Sequence, residues 1–266
     1  CIRSRLKSIF THDKKQTQQA ISEADYILFG GGQLFNEDEP YSIYLWGIHA
    51  RAFQKLRKKY IIIGQSFSKL TKKYSKKIVE RAVNNAHEVF VRDEESRNIL
   101  HKLNIKRQIY VTVDPAFILD ESDFEEKKHE PSVLIILRKY KNIDGKDIEK
   151  KINKAAEKFT VDKKNIDIGN MRQSISYYWN LFKSAEMIFA MRLHAAILAI
   201  LAERPFLALN YSPKVENMMK KLGLDKKVIN FPINPSEITA KLKQPFDIEK
   251  IKEAKAKEHK KAENQQ

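Results

Sequence analysis

The stretch 186-EMIFAMRLHAAILAILAERPFLALNY-211 decides the fold class of this 266-residue chain. Its two ends, 186–191 and 205–211, are short apolar runs of the kind that form buried strands. The residues between them, 192–203, have the length and apolar content of a buried helix. Two buried strands joined by one helix predict a parallel βαβ unit.

The same alternation of strand and helix continues on both sides of this stretch. Asp93 is expected to cap one helix, Ser212 to cap another, and Gly223 to end that second helix. The further predicted strands are 25–32, 60–66, 88–93, 109–117, 132–139 and 161–170. The further predicted helices are 41–59, 75–86, 93–104, 145–159, 176–185 and 212–224. The sequence therefore predicts an α/β protein with parallel sheets.

A polar stretch, 120-DESDFEEKKHEP-131, interrupts the alternation and has no apolar period. We interpret it as a linker between two Rossmann-like lobes. The N-terminal lobe is expected in residues 1–119 and the C-terminal lobe in 132–242. Residues 243–266 are rich in Lys and Glu, which predicts a basic helix or tail, either solvated or docked.

Composition narrows the range of functions. Hydrophobic residues make up 42% of the chain, which is enough for a core and excludes global disorder. The formal charge of 50 − 34 = +16 indicates either anionic partners or a solvated lysine-rich surface. The lysines are dispersed, without a basic stripe interleaved with aromatic residues, so nucleic-acid binding is not expected.

The compartment is inferred from cysteine usage and apolar runs. The single cysteine, Cys1, allows no intrachain disulfide, which is consistent with a reducing compartment. No apolar run approaches the roughly 20 residues of a membrane span. We expect a cytoplasmic protein. Contact of the basic C-terminal segment with an anionic membrane surface is kept as an alternative.

Four basic residues lie at predicted strand-to-helix junctions: Arg92, Arg192, His194 and Lys214. In open α/β sheets ligands bind beyond the carboxyl ends of the strands. A helix N-terminus carries partial positive charge, and a cation there costs about 0.3–1 kcal/mol. An anionic ligand would remove this conflict, because the cations, the helix dipoles and the free N–H groups all favour it.

Each of these residues also has a purely structural interpretation. Arg92 could pair with Glu94 or Glu95, and Lys214 could extend to solvent. His194 shares a helix face with Ile197, Leu198 and Leu201, which also suits a core histidine. Arg192 is harder to explain this way, because its apolar neighbours leave the charge in need of a partner.

Two other segments carry weaker signals. The run Gly30–Gly32 follows a predicted strand and permits positive φ and close approach to a ligand. It has neither the spacing of a dinucleotide fingerprint nor the Lys-Ser/Thr of a P-loop. The acidic residues 37–39 could meet a sugar hydroxyl or form an exposed acidic loop. We interpret Asp114-Pro115 as a break in the strand, although Asp114 could also point into a cleft between the lobes.

Motifs for common metal and nucleophile chemistry are absent from the sequence. It contains no HExxH, no Cys/His cluster and no GxSxG. We therefore expect neither a metal nor an organic cofactor.

Four segments together resemble the polysaccharide pyruvyl transferase family in order and spacing. They are 30-GGGQLF-35, 91-VRDEESRNIL-100 with 114-DPAF-117, 191-MRLHAAILA-199 and 211-YSPKVENMMKKLGL-224. The resemblance extends from about residue 20 to about residue 230. It implies a GT-B-like fold of two lobes. It also implies transfer of a pyruvyl group from phosphoenolpyruvate to a sugar of a cell-surface polysaccharide or its precursor, with formation of a ketal and release of phosphate.

The resemblance also implies roles for particular residues. Arg92, Arg192, Leu193 and Lys214 match the donor-binding positions, and His194 matches a residue of the same motif, to which we assign acid–base catalysis. The loop Gly30–Gly32 is a further candidate contact. The acceptor would be a sugar or a lipid-linked glycan. The family usually opens with a Gly/Asn/Asp-rich turn that this chain lacks, so we expect an incomplete N-terminal lobe.

Two other functions remain open at this stage. A GT-B glycosyltransferase with a nucleotide-sugar donor has the same two lobes and also needs cations for phosphate. An inactive, truncated relative that binds an anionic glycan would need no acid–base residue.

Overall fold

The computed structural model describes residues 14–37, 39, 41–138, 143–166 and 173–263. Its contacts divide the chain into two compact units, with the boundary after Pro115. The predicted boundary was after residue 119, and the predicted linker 120–131 belongs to the second unit.

Unit 1 is a parallel four-stranded sheet with the strand order β1-β2-β3-β4. Every neighbouring pair is parallel, so helices connect the strands across the sheet. Its core includes Phe29, Tyr60, Ile62, Val89 and Leu100. The elements are α1 (Lys14–Glu23), β1 (Tyr26–Gly30), α2 (Ser42–Lys55), β2 (Lys59–Gln65), α3 (Lys73–Asn84), β3 (Glu88–Val91), α4 (Glu94–His101) and β4 (Tyr110–Val111).

One predicted strand of this unit, 109–117 with a break at Asp114-Pro115, is shorter than predicted, although the predicted break is confirmed. Only Tyr110–Val111 pairs with β3, and Pro115–Ile118 forms a 3-10 helix. The physical reason is at Asp114 and Pro115. Asp114 is held by an arginine, as described below, and proline has no N–H group for a strand ladder.

Unit 2 contains a parallel five-stranded sheet with the strand order β6-β5-β7-β8-β9. Strand β5 is buried along its whole length, and β7 is buried except at Glu186, as expected for central strands covered on both faces. The elements are β5 (Ser132–Ile136), α5 (Gly145–Ala155), β6 (Asp162–Asn165), α6 (Ile175–Lys183), β7 (Ala185–Ala190), α7 (Leu193–Leu201), β8 (Phe206–Asn210), α8 (Pro213–Lys221), β9 (Val228–Asn230), α9 (Pro235–Lys243) and α10 (Ile248–Glu263).

Helix ends follow the expected capping chemistry in part. The side chain of Asp93 accepts a 2.7 Å hydrogen bond from the Ser96 N–H at the start of α4, as predicted. Gly223 has φ of 71° just after α8, which suits its predicted role as a stop. Ser212 occupies the N-cap position of α8, but its hydroxyl makes no capping hydrogen bond within the described residues.

The polar stretch after the boundary is packed against α6. Phe124 stacks on Trp179 with ring centroids 4.6 Å apart. The carbonyl of Glu125 accepts a 2.6 Å hydrogen bond from Asn180, and Glu121 pairs with Lys183 at 3.1 Å. These contacts explain why the stretch belongs to unit 2 despite its polar composition.

Of the two alternatives for the C-terminal segment, the structure shows a docked helix for residues 248–263. Helix α10 buries Ile251 and Ala254 and packs against α7. Glu258 is almost fully buried and pairs with Lys221 at 3.2 Å and Lys261 at 2.5 Å. The three groups fix the helix on unit 2.

Candidate functional site

The β7–α7 junction places the Arg-Leu-His segment at the carboxyl edge of the second sheet. Strand β7 lies between β5 and β8, so its end is central to that edge. Arg192 is the N-cap residue of α7 in an extended conformation, with φ of −86° and ψ of 138°. Leu193 and His194 are the first two helical residues. The rest of α7, from Ala195 onward, is buried and seats the helix on the sheet.

Exposure separates the residues of this segment. Arg192 and Leu193 are half-buried, whereas His194 is exposed. The alternative of a core histidine is therefore wrong. Burial of α7 begins one residue later, at Ala195, so the first turn leaves the imidazole accessible.

The next junction, between β8 and α8, contributes Lys214. Strand β8 pairs with β7, and α8 begins at Pro213, so Lys214 lies in the first turn of its helix. Its side chain is half-buried. Glu216 in the same turn is paired with Lys220 at 2.5 Å.

A further cation, Arg138, lies on the other side of β7. It follows β5, whose last residue Ile136 is in register with Ala190 of β7. The Nη1 group of Arg138 donates a 3.2 Å hydrogen bond to the hydroxyl of Tyr211, and its guanidinium carbon lies 5.5 Å from the centroid of the Tyr211 ring. The backbone N–H of Arg138 contacts the sulfur of Met191 at 3.3 Å.

Arg138 was not among the candidates predicted from the sequence, because no predicted helix follows it directly. The segment after Arg138, residues 139–142, lies outside the described residues. The sequence does contain a signal for it, a cation at the end of the predicted apolar strand 132–139.

Arg138, Arg192, His194 and Lys214 thus follow three adjacent parallel strands, β5, β7 and β8. Strands in a sheet are about 4.8 Å apart, so the three strand ends lie within about 10 Å. Two helices also begin there, α7 and α8, and their N-termini add partial positive charge. The edge is electrostatically suited to a small, multiply charged anion.

Two polar groups at the end of β8 extend this edge. The amide nitrogen of Asn210 donates a 2.8 Å hydrogen bond to Asn230. The amide oxygen of Asn210 and the hydroxyl of Ser212 are buried and have no hydrogen-bond partner among the described residues. A buried polar group in that condition costs about 1–3 kcal/mol, so a bound ligand could stabilise this end of the strand.

Arg92 lies in unit 1, at the carboxyl end of β3. It is buried and pairs with Asp114 at 2.9 Å; its Nε also donates to the hydroxyl of Ser66. Glu94, one of its expected partners, pairs instead with Arg97 at 2.7 Å. Asp114 therefore does more than break the strand, since it compensates the charge of Arg92 within unit 1.

The glycine run is explained in part by packing. A Cβ atom on Gly30 would overlap the carbonyl oxygen of Ile63 on the neighbouring strand β2. Gly31 and Gly32 have φ of 91° and 68°, with open space where a Cβ would be. The N–H of Gly31 donates to Ile63 at 3.0 Å, which continues the contact with β2 into the turn.

Glu37 holds the segment just before α3. Its carboxylate accepts hydrogen bonds from the Thr71 N–H at 2.9 Å, the Thr71 hydroxyl at 2.5 Å and the Lys72 N–H at 3.0 Å. Partial burial raises its pKa, but these hydrogen bonds outweigh that effect and hold the pKa at about 2. Glu39 is exposed. Asp38 lies outside the described residues.

No group of three or more His, Cys, Asp or Glu side chains in the described part of the chain is placed to hold a metal ion. Within the same residues, no helix combines the length and apolar character needed to cross a bilayer.

A sequence model of the polysaccharide pyruvyl transferase family matches residues 2–213. The chain belongs to the polysaccharide pyruvyl transferase family. It is therefore a transferase of a family that acts in pyruvyl transfer to polysaccharide, and the predicted family is confirmed. No curated protein matches the sequence.

Two solved structures are similar to the chain. An uncharacterised protein from Klebsiella pneumoniae matches with a TM-score of 0.50 and 17% identity, over 79% of this chain and 76% of that protein. TarM matches with a TM-score of 0.46 and 14% identity, over 89% of this chain and 51% of TarM. The prediction of two α/β units with parallel sheets is confirmed by the topology. The GT-B arrangement of the two lobes stays a prediction.

Proposed function

We propose that this pyruvyl transferase takes its pyruvyl group from phosphoenolpyruvate. The acceptor is a sugar of a cell-surface polysaccharide or of its lipid-linked precursor, and the products are a pyruvate ketal and phosphate. One observation carries the proposal: Arg192, His194 and Lys214 follow neighbouring strands at the carboxyl edge of the second sheet.

Phosphoenolpyruvate suits this edge by charge and by size. It carries a phosphate and a carboxylate on the same carbon, and both are groups that guanidinium binds with two parallel hydrogen bonds. The N-termini of α7 and α8 offer backbone N–H groups and a favourable dipole for the phosphate. We assign Arg192 and Lys214 to donor binding through their side chains. We assign Leu193 to donor binding through its backbone in the same turn.

His194 is the acid–base residue of the proposal. One sugar hydroxyl attacks the central carbon of the enol, and the methylene carbon gains a proton. A second hydroxyl of the same sugar then displaces phosphate from that carbon, which closes the ketal, and phosphate leaves with the second hydroxyl's proton. An imidazole can donate the first proton or accept the proton of the attacking hydroxyl, and its exposure leaves both open.

Unit 1 has a smaller part in donor binding. The charge of Arg92 is already compensated by Asp114, so we assign Arg92 a secondary contact with the donor, together with the loop Gly30–Gly32. The proposal includes a GT-B arrangement of the two units and a cytoplasmic location. It requires neither a metal nor an organic cofactor.

The test is incubation of the protein with phosphoenolpyruvate and a panel of candidate glycans, with phosphate release as the readout. Release that requires both substrates, together with a glycan mass increased by one pyruvyl ketal, supports the proposal. The control is the His194→Ala variant, in which release should fall to background. Absence of acceptor-dependent release across the panel, combined with no binding of phosphoenolpyruvate, contradicts the choice of donor.

A nucleotide-sugar donor is the competing assignment. Only a ligand that binds the folded state raises the melting temperature, by an amount set by its concentration and affinity. Thermal shifts with phosphoenolpyruvate and with a panel of nucleotide sugars therefore separate the two donors. If a nucleotide sugar stabilises the protein and phosphoenolpyruvate does not, the proposed function is wrong and glycosyl transfer takes its place.

A further inference from the structure

We propose that the outward face of α2 and α3 in unit 1 binds an anionic membrane surface. This contact is independent of the donor and of the acid–base chemistry. It also replaces the contact expected for the C-terminal segment, because α10 buries Ile251 and Ala254 and packs against α7. An exposed apolar stripe on α2, the close packing of α3 beside it and the basic residues of both helices support the assignment.

Helix α2 carries apolar side chains on two opposite faces. Ile43 and Phe53 are buried in the core of unit 1. On the other face, Tyr44 is 45% exposed, Leu45 50% and Ile48 65%. These three side chains form one stripe, because residues three and four apart are neighbours on a helix surface. A surface helix normally carries polar residues on its outward face, so the stripe marks an interaction surface.

Helix α3 extends this surface. Gly47 lets the two helices approach closely, since a Cβ atom there would overlap the side chain of Ile78 on α3. The ring of Tyr44 stacks on that of Tyr74 in α3, with the ring centroids 5.1 Å apart and the ring planes at 19°. Tyr74 is 41% exposed, and Tyr41, at the N-cap position of α2, is 80% exposed. The tyrosines therefore continue the stripe from one helix to the other.

The same stretch of chain holds most of the excess positive charge. Residues 41–79 contain ten Lys and Arg residues and no Asp or Glu, so they contribute +10 of the net charge of +16. The lysines are therefore less evenly dispersed than the overall composition suggests. Arg51 and Lys55 continue the outward face of α2, and Lys73 and Lys77 are exposed on α3. Basic residues thus lie beside the apolar stripe on both helices.

The combination of apolar and basic side chains selects the partner. Protein–protein interfaces are depleted in lysine, which argues against a second protein. A nucleic acid or an anionic glycan would pair with the lysines, but it offers no apolar region for Leu45 and Ile48. The interface of a bilayer suits all three kinds of side chain: cations at the anionic headgroups, tyrosines at headgroup level and aliphatic groups at the acyl boundary. We therefore assign this surface to an anionic bilayer.

The test measures binding of the full chain to vesicles by flotation. One set of vesicles contains phosphatidylcholine and phosphatidylglycerol in equal parts, and the other contains phosphatidylcholine alone. Wild type should bind the mixed vesicles and bind the neutral vesicles much more weakly, because the anionic headgroups attract the lysines.

Two double variants separate the apolar and the charged contributions. Leu45→Ser with Ile48→Ser should weaken binding to the mixed vesicles by about 10- to 100-fold, the factor expected when two side chains each lose about half of a full burial. Lys73→Gln with Lys77→Gln should weaken it by about 10- to 30-fold, as expected for two lysines near an anionic surface. All four side chains are exposed, so the melting temperatures of both variants should stay close to that of wild type.

Unit 2 offers matched controls. Ile175→Ser removes an isoleucine that is 45% exposed on α6, and Lys257→Gln with Lys260→Gln removes two exposed lysines of α10. Both controls should bind the mixed vesicles as wild type does. The second also tests the C-terminal segment directly, because it removes the same charge as the variant of α3.

Each contrary outcome has its own meaning. If wild type does not bind the mixed vesicles, the assignment is wrong. If the lysine variant of α3 weakens binding and the α2 variant does not, the surface binds polyanions by charge alone and is not a membrane contact. If the α10 control weakens binding as much as the variants of unit 1, the contact belongs to the C-terminal helix.

A protein interface would give a different result. The α2 variant would then change the oligomeric state in sedimentation velocity experiments and leave vesicle binding unchanged, which would also overturn the assignment. Binding of phosphoenolpyruvate, measured by calorimetry without vesicles, should be the same in wild type and both double variants. Failure of the membrane contact is therefore distinguishable from failure of the proposed function.

Discussion

The guanidinium of Arg92 and the carboxylate of Asp114 meet at 2.9 Å, with both side chains buried. The pair joins the end of β3 to the segment after β4, and Ser66 adds a contact from the end of β2. Breaking a buried pair by removing one partner typically costs about 3–5 kcal/mol, because it leaves an uncompensated charge.

Arg92→Ala and Asp114→Ala should therefore each lower the free energy of unfolding by about 3 kcal/mol, measured by urea denaturation. The double variant should lose less than the sum of the single losses, since no charge is left unpaired. Arg97→Ala is the control, as its partner Glu94 is exposed. If the single variants lose little unfolding free energy and the losses add in the double variant, the pair contributes little to the stability of unit 1.

Gly30 provides a second test, which concerns the packing of β1 against β2. A methyl group there would overlap the Ile63 carbonyl of β2, so Gly30→Ala should destabilise unit 1 by about 1–3 kcal/mol. Gly145→Ala meets nothing within 4 Å and is the matched control. Melting curves for the two variants give the comparison. A melting temperature for Gly30→Ala equal to that of wild type would mean that β1 and β2 can separate at no cost.

Glu37 gives a prediction about acid stability. Its pKa of about 2 in the folded state lies below the ordinary value of 4.5, because hydrogen bonds from Thr71 and Lys72 favour the charged form. The stability that it contributes is therefore present above pH 4.5 and is lost as the pH falls towards 2.

The variant Glu37→Gln should lose about 1 kcal/mol of unfolding free energy at neutral pH, a typical net value for a hydrogen bond. The difference from wild type should shrink as the pH falls, and urea denaturation at several pH values measures it. Thr71→Val removes only the hydroxyl and should have a smaller effect with the same pH dependence. A difference that is constant between neutral pH and pH 3 would contradict the role of the charged carboxylate in these hydrogen bonds.

The order of strands and helices was predictable because burial leaves a periodic apolar pattern. The β7–α7–β8 unit is the clearest case, with each element close to its predicted range. Strand β9 and helices α1 and α9 were missed. Strand β9 has only three residues, and α1 has a mostly polar sequence, so neither leaves a periodic pattern long enough to recognise.

The candidate site could be predicted only where a local electrostatic conflict in the sequence pointed to it. Arg192, His194 and Lys214 were found because a cation at a helix start is unfavourable by itself. The contacts of Arg138 and Asp114 could not be predicted, because their partners Tyr211 and Arg92 lie 73 and 22 residues away in sequence. Such pairings depend on strand order, which one sequence without an alignment does not contain.

The last prediction concerns Arg192 and His194, the two basic residues of the β7–α7 junction. Their substitutions should affect different kinetic quantities. General acid–base catalysis contributes about 10²–10⁴-fold, so His194→Ala should lower kcat by that factor and leave the affinity for phosphoenolpyruvate nearly unchanged. Arg192→Ala should instead weaken that affinity by about 10- to 100-fold, the loss expected for charge-assisted hydrogen bonds.

Calorimetry with phosphoenolpyruvate and the rate of phosphate release measure the two effects on the same preparations. Arg192→Lys should restore part of the affinity, because charge is kept while the bidentate geometry is lost. His101→Ala, an exposed histidine in the last turn of α4, is the control for loss of an imidazole. Turnover of His194→Ala at the wild-type rate would remove the acid–base role, and unchanged affinity in Arg192→Ala would remove the donor contact. The two residues are only two positions apart on one junction. A loss of kcat in one variant and a loss of affinity in the other would therefore reflect the chemistry of the two side chains and not a common structural change.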